Sequence, residues 1–258
     1  MPAAHRKESA AAPPGYFAWE AAGLRWLAQA RAAGGAAVVD VLDVDLHHLD
    51  LARLVPAPPT RDAAERLGRG LAATHAAGAP AHGCGPPGWD GDGWLGPLSE
   101  PLPLALGAWD AWGEFFAQAR IVALLPLARA RGVLDDDEVA VFDRLAGRVA
   151  SGTFDTGEPP ARLHGDLWSG NVLWTAADAV LIDPAAHGGS READLAMLAL
   201  FGAPHLEQVL AAYDEAAPLP DGWRDRVLLH QVHPLLLHAV LFGGSYAGQA
   251  LRAARHYA

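Results

Sequence analysis

Three side chains that suit phosphoryl transfer lie close together in the second half of the chain. Asp166 and Asn171 are five positions apart in a segment typical of a turn, and Asp183 follows the apolar run 180–182, twelve positions after Asn171. A short hairpin would bring all three together. A carboxylate can orient an attacking hydroxyl and accept its proton, and carboxylate and amide oxygens are hard ligands for the magnesium that bridges phosphates. The spacing therefore favours a phosphotransferase.

The same residues have an ordinary structural alternative. Isolated Asp and Asn residues usually form turns, and Asp183 could simply end a strand. Against this, His164-Gly165 precede the pair and apolar runs flank it on both sides. The spacing Asp-x4-Asn and then Asp also matches the catalytic loop and the metal-binding carboxylate of protein kinases. The combination favours the kinase interpretation over three independent turns.

Hydrophobic periodicity predicts the elements that must position these residues. A short α/β stretch comes first, and a mainly helical body follows, with a β-ribbon over 162–182 set into it. A helix capped by Thr60 spans 61–76, and the Gly- and Pro-rich segment 78–108 is expected to be a long ordered loop. The remaining predicted elements are helices over 16–33, 108–131, 136–150 and 191–256, the last broken near Pro218 and Gly243-Gly244, and strands over 36–46 and 49–55.

Composition limits the classes of partner and compartment. The 258 residues carry a formal net charge of -11, and the basic residues form no run, which argues against nucleic acid or an anionic membrane as a partner. The single cysteine, Cys84, permits no intramolecular disulfide, so a reducing, cytoplasmic compartment is expected. No apolar run is long enough to cross a membrane, and the amino-terminal residues lack the features of a signal peptide. The histidines lack the carboxylates and the spacing of a metal hydrolase.

The catalytic segment resembles a known family. The stretch from His164 to Asn171, with Leu-Trp-Ser-Gly between Asp166 and Asn171, is similar to the catalytic loop of the fructosamine (ketosamine-3-) kinases. These kinases are a branch of the aminoglycoside phosphotransferase and protein-kinase-like superfamily. The wider superfamily shares the His-Gly-Asp and the Asn, whereas the Leu-Trp-Ser-Gly between them is typical of a much smaller group of proteins. The resemblance extends from about Lys7 to the carboxyl end of the chain.

This resemblance implies an α+β, protein-kinase-like two-lobe fold. Residues 1–57 would form a small ATP-binding lobe of a helix and strands, and residues 58–258 a mainly helical catalytic and substrate-binding lobe. The family has two further strands and a phosphate-covering turn before the position that Lys7 occupies. A truncated amino-terminal lobe is therefore expected, and a wrong start, a fragment and a true loss are equally open explanations.

The resemblance also implies the cofactors and the residues that hold them, namely ATP and Mg²⁺. Asp166 would be the catalytic base, and Asn171 and Asp183 would bind the magnesium ion of the nucleotide. Lys7 would clamp the ATP phosphates and pair with Glu20 on the following helix. A lysine near the start of a chain is otherwise usually solvated.

Five further residues receive substrate-binding or structural roles from the same resemblance. Trp168, Arg120 and Trp112 would contact the substrate, although a large aromatic side chain more often only packs. Asp194 would brace the catalytic loop, and the alternative is an exposed charge favoured by the first turn of a helix. His164 would be structural and hydrogen-bond the loop rather than carry a proton.

The expected function is ATP-dependent phosphorylation of a sugar hydroxyl in fructosamines or ribulosamines, the ketoamines that sugars form with amines. The expected partner is a small ketoamine or a glycated lysine, and the oligomeric state is left open. One alternative is a related small-molecule kinase of the aminoglycoside or choline kinase-like group. The other is a truncated, inactive pseudokinase that binds a nucleotide.

Overall fold

The amino-terminal part of the structure, a computed structural model that describes residues 3–258, is a three-stranded antiparallel sheet with a helix against it. Its elements are β1 (Ala4–Glu8), α1 (Tyr16–Ala28), β2 (Ala37–Val38), β3 (Val41–Val44) and β4 (His48–Ala52). The strand order is β1-β4-β3, and Lys7 lies opposite Leu49. Leu49 and Leu51 alternate with more exposed neighbours and are buried under α1, as expected of a half-buried strand.

The rest of the chain is mainly helical, and short strand pairs are set into it. Its first helix, α2 (Arg61–Ala76), begins as predicted at Thr60, whose side chain accepts a hydrogen bond from the Ala63 N–H. A capping box likewise starts the helix at Asp136. The remaining elements are β5 (Gly93–Leu95), β6 (Leu102–Leu104), α3 (Trp112–Phe115), α4 (Leu125–Ala130), α5 (Asp136–Ala150), β7 (Ala161–Leu163), β8 (Val172–Trp174), β9 (Ala179–Leu181), β10 (His187–Gly189), α6 (Glu192–Phe201), α7 (Leu206–Ala216), α8 (Trp223–His230), α9 (Val232–Phe242) and α10 (Tyr246–Tyr257).

Two strand pairs position the catalytic segment. β8 and β9 form an antiparallel hairpin, and β7 pairs with β10. β2 adds to the hairpin in parallel with β9, so the two parts of the chain share one small sheet. Across residues 3–258, none of the helices combines the length and the apolar character needed to cross a membrane.

Two of the predicted elements are wrong in their continuity. The predicted strand over 36–46 is divided into β2 and β3, which pair in different sheets, because the chain turns at Val39 and Asp40 to bond Leu181 and Ala52 separately. The predicted helix over 108–131 is divided as well. Its middle, Phe116–Ile121, is π-helical, and a 3-10 turn leads into α4 with Pro126 in its first turn. A π-helical turn adds a residue per turn and so rotates the side chains around it.

A close contact between α2 and α7 supports the catalytic segment from behind. Gly68 faces α7 so closely that an added Cβ atom would lie 2.2 Å from the Val209 carbonyl oxygen. Only glycine permits this distance, since any larger residue would force the helices apart. The contact brings His75 of α2 to Tyr213 of α7. His75 also contacts Asp194, which binds the backbone of the catalytic loop.

Candidate active site

The loop between β7 and β8 carries Asp166 and Asn171, and the β8–β9 hairpin returns the chain to Asp183 beside them. The Asn171 Nδ2 atom donates to the Asp166 backbone oxygen at 2.8 Å and to its carboxylate Oδ2 at 3.0 Å. It also lies 3.4 Å from the Asp183 backbone oxygen. The structure therefore brings together the three residues that sequence spacing singled out, as the predicted hairpin requires.

The donor atoms at this point suit a magnesium ion. All three bonds of the Asn171 side chain use its nitrogen, so its amide oxygen accepts no protein hydrogen bond within residues 3–258. The Asp183 side chain is 43% exposed and faces the same cleft. Asp183 also has a φ of 53°, a left-handed conformation that is uncommon for a residue other than glycine and that is often found at functional sites. One carboxylate and one amide oxygen match the hard ligands that Mg²⁺ prefers.

Lys7 of β1 reaches the same point from the small sheet. Its ammonium lies 2.6 Å from the Glu20 carboxylate and 3.2 Å from that of Asp183. Burial opposes protonation of Lys7, but the neighbouring carboxylates of Glu20 and Asp183 prevail and raise its pKa, so the side chain is a cation. Burial raises the pKa of Glu20 to about 7 against the opposing effect of Lys7. The Oε1 atom of Glu20 is buried and has no hydrogen-bond partner among the described residues.

The surroundings of Asp166 suit the predicted role of a general base. Burial raises its pKa to about 7, the hydrogen bond from Asn171 opposes the shift, and the charges of Asp183 and Asp194 add to it. A base is most effective when its pKa lies near the working pH. The Asp166 carboxylate opens into a cleft of about 640 Å³ that also contains Lys7, Asn171 and Asp183.

A buried carboxylate on α6 fixes the catalytic loop. Asp194 is 2% exposed and accepts hydrogen bonds from the backbone N–H groups of His164 at 2.7 Å and Gly165 at 3.0 Å. These contacts are the ones expected of the bracing role, and they do not fit the alternative of an exposed helix charge. His75 adds a contact of 3.1 Å from its Nε2 atom, and its Nδ1 atom lies 2.8 Å from the Tyr213 hydroxyl. Although burial opposes it, the hydrogen bond from His75 and the other contacts lower the pKa of Asp194.

His164 lies where a structural residue should be. It is 1% exposed, and its Nε2 atom bonds the Ile182 carbonyl oxygen at 2.9 Å. Burial lowers the pKa of His164, so the ring is neutral, and it faces away from the cleft. Gly165 beside it has a φ of 81°, and an added Cβ atom would lie 2.1 Å from the Ala185 oxygen. Only glycine fits at that turn.

Trp168 forms one side of the cleft, as expected of a substrate contact. It is 41% exposed and packs edge-on against Phe201 at 6.2 Å between ring centroids. His238 stands 4.9 Å from Phe201 and extends this aromatic wall to Phe242 and Tyr246. Sequence reasoning did not assign the other rings of this wall to the site, because they come from three separate helices, α6, α9 and α10.

Arg120 and Trp112 lie elsewhere. Both are buried and line a smaller inner cavity of about 50 Å³ that reaches the rear of Asp166, and neither lines the cleft. Arg120 donates to the carbonyl oxygens of Ala105 and Ala119, while its Nη2 atom has no partner among residues 3–258. Burial lowers its pKa to about 9. Substrate contact by Arg120 and Trp112 therefore stays a prediction, at a position behind the catalytic loop.

His75 and Tyr213 are the residues of the brace to which sequence reasoning gave no role. A signal exists for His75, because it shares a buried helix face with Gly68 and Leu71, and a histidine on an apolar face needs a partner. No comparable signal marks Tyr213, since its partner lies 138 positions away.

Comparison with known proteins agrees with this geometry. The sequence model of the fructosamine kinases matches residues 6–257. A probable ketoamine kinase of Vibrio vulnificus is 32% identical over 91% of this chain and 77% of its own length. A probable ketoamine kinase of Synechocystis is 36% identical over 72% of this chain, and the matched region spans 59% of that relative's length.

Solved structures give the same result for the fold. A Thermobifida fusca protein assigned as a fructosamine-3-kinase superimposes with a TM-score of 0.88 at 45% identity, over 98% of this chain and 84% of its own. The APH(2")-IIa protein, solved in complex with gentamicin, gives 0.62 at 12% identity, over 98% and 82% of the two chains, which supports the fold alone. These similarities confirm the predicted α+β, protein-kinase-like fold. The division at residue 57 and the truncated lobe stay predictions.

Proposed function

Because the chain belongs to the fructosamine kinase family, we propose that it transfers the γ-phosphate of ATP to a sugar hydroxyl of a fructosamine or ribulosamine. One observation carries the proposal. A partly buried carboxylate with a pKa near neutrality, Asp166, faces the same cleft as the Lys7–Glu20 ion pair and the oxygen donors of Asn171 and Asp183.

The proposed reaction is an in-line displacement. The substrate hydroxyl donates a hydrogen bond to Asp166, its oxygen attacks the γ-phosphorus, and the bond from that phosphorus to the ADP oxygen breaks. The proton passes to the Asp166 carboxylate. Lys7 holds the phosphates as a point charge, and Glu20 fixes the direction of the Lys7 side chain. The Asn171 amide oxygen and the Asp183 carboxylate would hold Mg²⁺, which when bound neutralises charge on the phosphate oxygens.

The aromatic wall suits the amine portion of a ketoamine. The rings of Trp168 and Phe242, which both line the cleft, are 41% and 57% exposed, and exposed aromatic rings bind the apolar faces of sugars and attract cations. A ketoamine that keeps a protonated amine offers both features. A cytoplasmic location and the absence of a nucleic-acid or membrane partner stay predictions.

The direct test is release of ADP from Mg-ATP in the presence of fructosyl-lysine. We expect turnover by the parent chain, its abolition in Asp166→Ala with ATP binding retained, and weakened Mg-ATP binding in Asp183→Ala. Asp143→Asn, an exposed change on α5, is the matched control for loss of one negative charge. Phosphorylation of an aminoglycoside or choline-like alcohol but no ketoamine would support the related kinase. Nucleotide binding without turnover of any acceptor would support the pseudokinase.

A further inference from the structure

His238 of α9 lies in the middle of the aromatic wall and lines the catalytic cleft. Between ring centroids, it stands 4.9 Å from Phe201, 5.4 Å from Phe242 and 5.2 Å from Tyr246. Phosphoryl transfer at Asp166 gives this ring no role in the reaction itself. Its polar atoms therefore need an explanation of their own.

The two nitrogen atoms of the His238 ring differ in their surroundings. Nδ1 lies 2.7 Å from the carbonyl oxygen of Pro234, one turn earlier in α9, so Nδ1 carries a hydrogen and donates it. Nε2 has no hydrogen-bond partner within residues 3–258, and it is not buried. Burial of the rest of the ring lowers the pKa of His238, so the ring is neutral and Nε2 keeps its lone pair. A hydrogen-bond acceptor is therefore accessible in the cleft.

The position of the reacting hydroxyl decides which part of the substrate meets this acceptor. That hydroxyl must lie at Asp166, and the wall begins two positions further along the chain, at Trp168, and continues through Phe201 to His238. The amine of a ketoamine extends away from the sugar and so lies along the wall. Among the described residues, those that α6, α9 and α10 contribute to the cleft include no carboxylate. A cation at this end of the cleft meets aromatic faces and the Nε2 lone pair instead.

We propose that His238 determines specificity for amine-bearing substrates, because its Nε2 atom accepts a hydrogen bond from the ammonium N–H of the ketoamine. This inference rests on the proposed function and assigns His238 to substrate selection rather than to the transfer step. A secondary ammonium has two N–H groups and no lone pair, so it can donate to Nε2 while the neighbouring aromatic faces attract its charge. An ether oxygen at the same position has neither a hydrogen to donate nor a charge, and it would leave Nε2 without a partner.

The test compares two ligands of the same shape, fructosyl-methylamine and its analogue with an ether oxygen in place of the nitrogen. Isothermal titration of the full chain is carried out with Mg-ADP, which permits no transfer, and the parent should bind the amine about tenfold more tightly than the ether. His238→Phe keeps an aromatic ring and removes the acceptor, so the amine should bind about tenfold more weakly and the ether unchanged. His238→Gln keeps an acceptor and should retain the preference for the amine. The control His256→Phe, an exposed change on α10, should bind both ligands as the parent does.

Three results would overturn the proposal. They are the absence of saturable binding of fructosyl-methylamine to the parent, equal affinity of the parent for the two ligands, and an equal change, or no change, of both affinities in His238→Phe. The last would leave the ring a packing role alone. Thermal unfolding of each variant verifies that it is folded. The proposed kinase is judged separately by ADP release, so selective binding of the amine through His238 without turnover of any ketoamine would support this inference and contradict the proposed function.

Discussion

Replacing Asp166, the proposed catalytic carboxylate, by its amide should stabilise the protein at high pH and abolish turnover. Burial raises the pKa of Asp166 from 3.8 to about 7, so between these values the folded chain binds a proton that the unfolded chain has released. Stability from this group is therefore gained as the pH falls through 7 and is lost as the pH rises. Asp166→Asn cannot ionise, and its unfolding free energy lacks this dependence.

The size of the effect follows from the shift. The stabilisation builds up over the roughly 1.5 pH units between the folded-state pKa of about 7 and pH 5.5, and each pH unit corresponds to about 1.4 kcal/mol. The unfolding free energy of the parent should therefore rise by about 2 kcal/mol relative to Asp166→Asn as the pH falls across this range. Glu20 also titrates near 7, but it is present in both proteins and cancels in the difference.

The assay is urea unfolding without nucleotide at three pH values, followed by tryptophan fluorescence. Asp137→Asn, an exposed change on α5, reports the effect of removing a surface charge. A difference between parent and Asp166→Asn that stays constant from pH 8 to pH 5.5 would refute the assignment of a raised pKa to Asp166. Asp166 would then titrate like an ordinary aspartate, and its proposed role as a general base could not rest on a pKa raised by burial.

Two further predictions concern packing and substrate contact. Gly68→Ala should lower the unfolding free energy by about 1–3 kcal/mol, because its methyl group would lie against the Val209 oxygen. The control Gly147→Ala places no atom within 4 Å of the added carbon and should be neutral or stabilising by about 0.5–1 kcal/mol. Equal losses of stability in the two variants would refute the reasoning. Trp168→Ala should raise the KM for fructosyl-lysine more than it lowers kcat, since a stacking contact binds substrate and transition state alike. Trp223→Ala on α8 is the control variant. A lower kcat with an unchanged KM in Trp168→Ala would contradict this role.

The arrangement of the loop that carries Asp166 and Asn171 could be predicted from sequence because its spacing is local. Asp166 and Asn171 belong to one turn, and a single hairpin separates them from Asp183, so few alternative arrangements exist. The cap at Thr60 was predictable for the same reason, since its partner is three residues away. Interactions of this kind depend on neighbours in the chain, and a short stretch of sequence contains all of them.

The position of Arg120 could not be predicted in this way. Hydrophobic periodicity over 108–131 resembles that of one continuous helix, and a π-helical turn leaves almost no trace in such a pattern. That turn directs Arg120 behind the catalytic loop, where it donates to the carbonyl oxygens of Ala105, just after β6, and of the preceding Ala119. The division of the strand over 36–46 has the same origin, because the pairing of β2 with β9 depends on residues more than a hundred positions away.

The unfavourable local features of the molecule are concentrated at the catalytic cleft. Asp183 occupies a left-handed conformation, Glu20 keeps a buried oxygen without a partner, and Asp166 is held where its ionisation is disfavoured. Each of these arrangements typically costs about 1–3 kcal/mol, so the surrounding structure must supply the stability that maintains them. The brace through Asp194 and His75 does so, because it is buried and bonds the loop backbone directly. A site built for stability alone would have relaxed these features, so their persistence beside the brace supports the proposal that phosphoryl transfer takes place at Asp166.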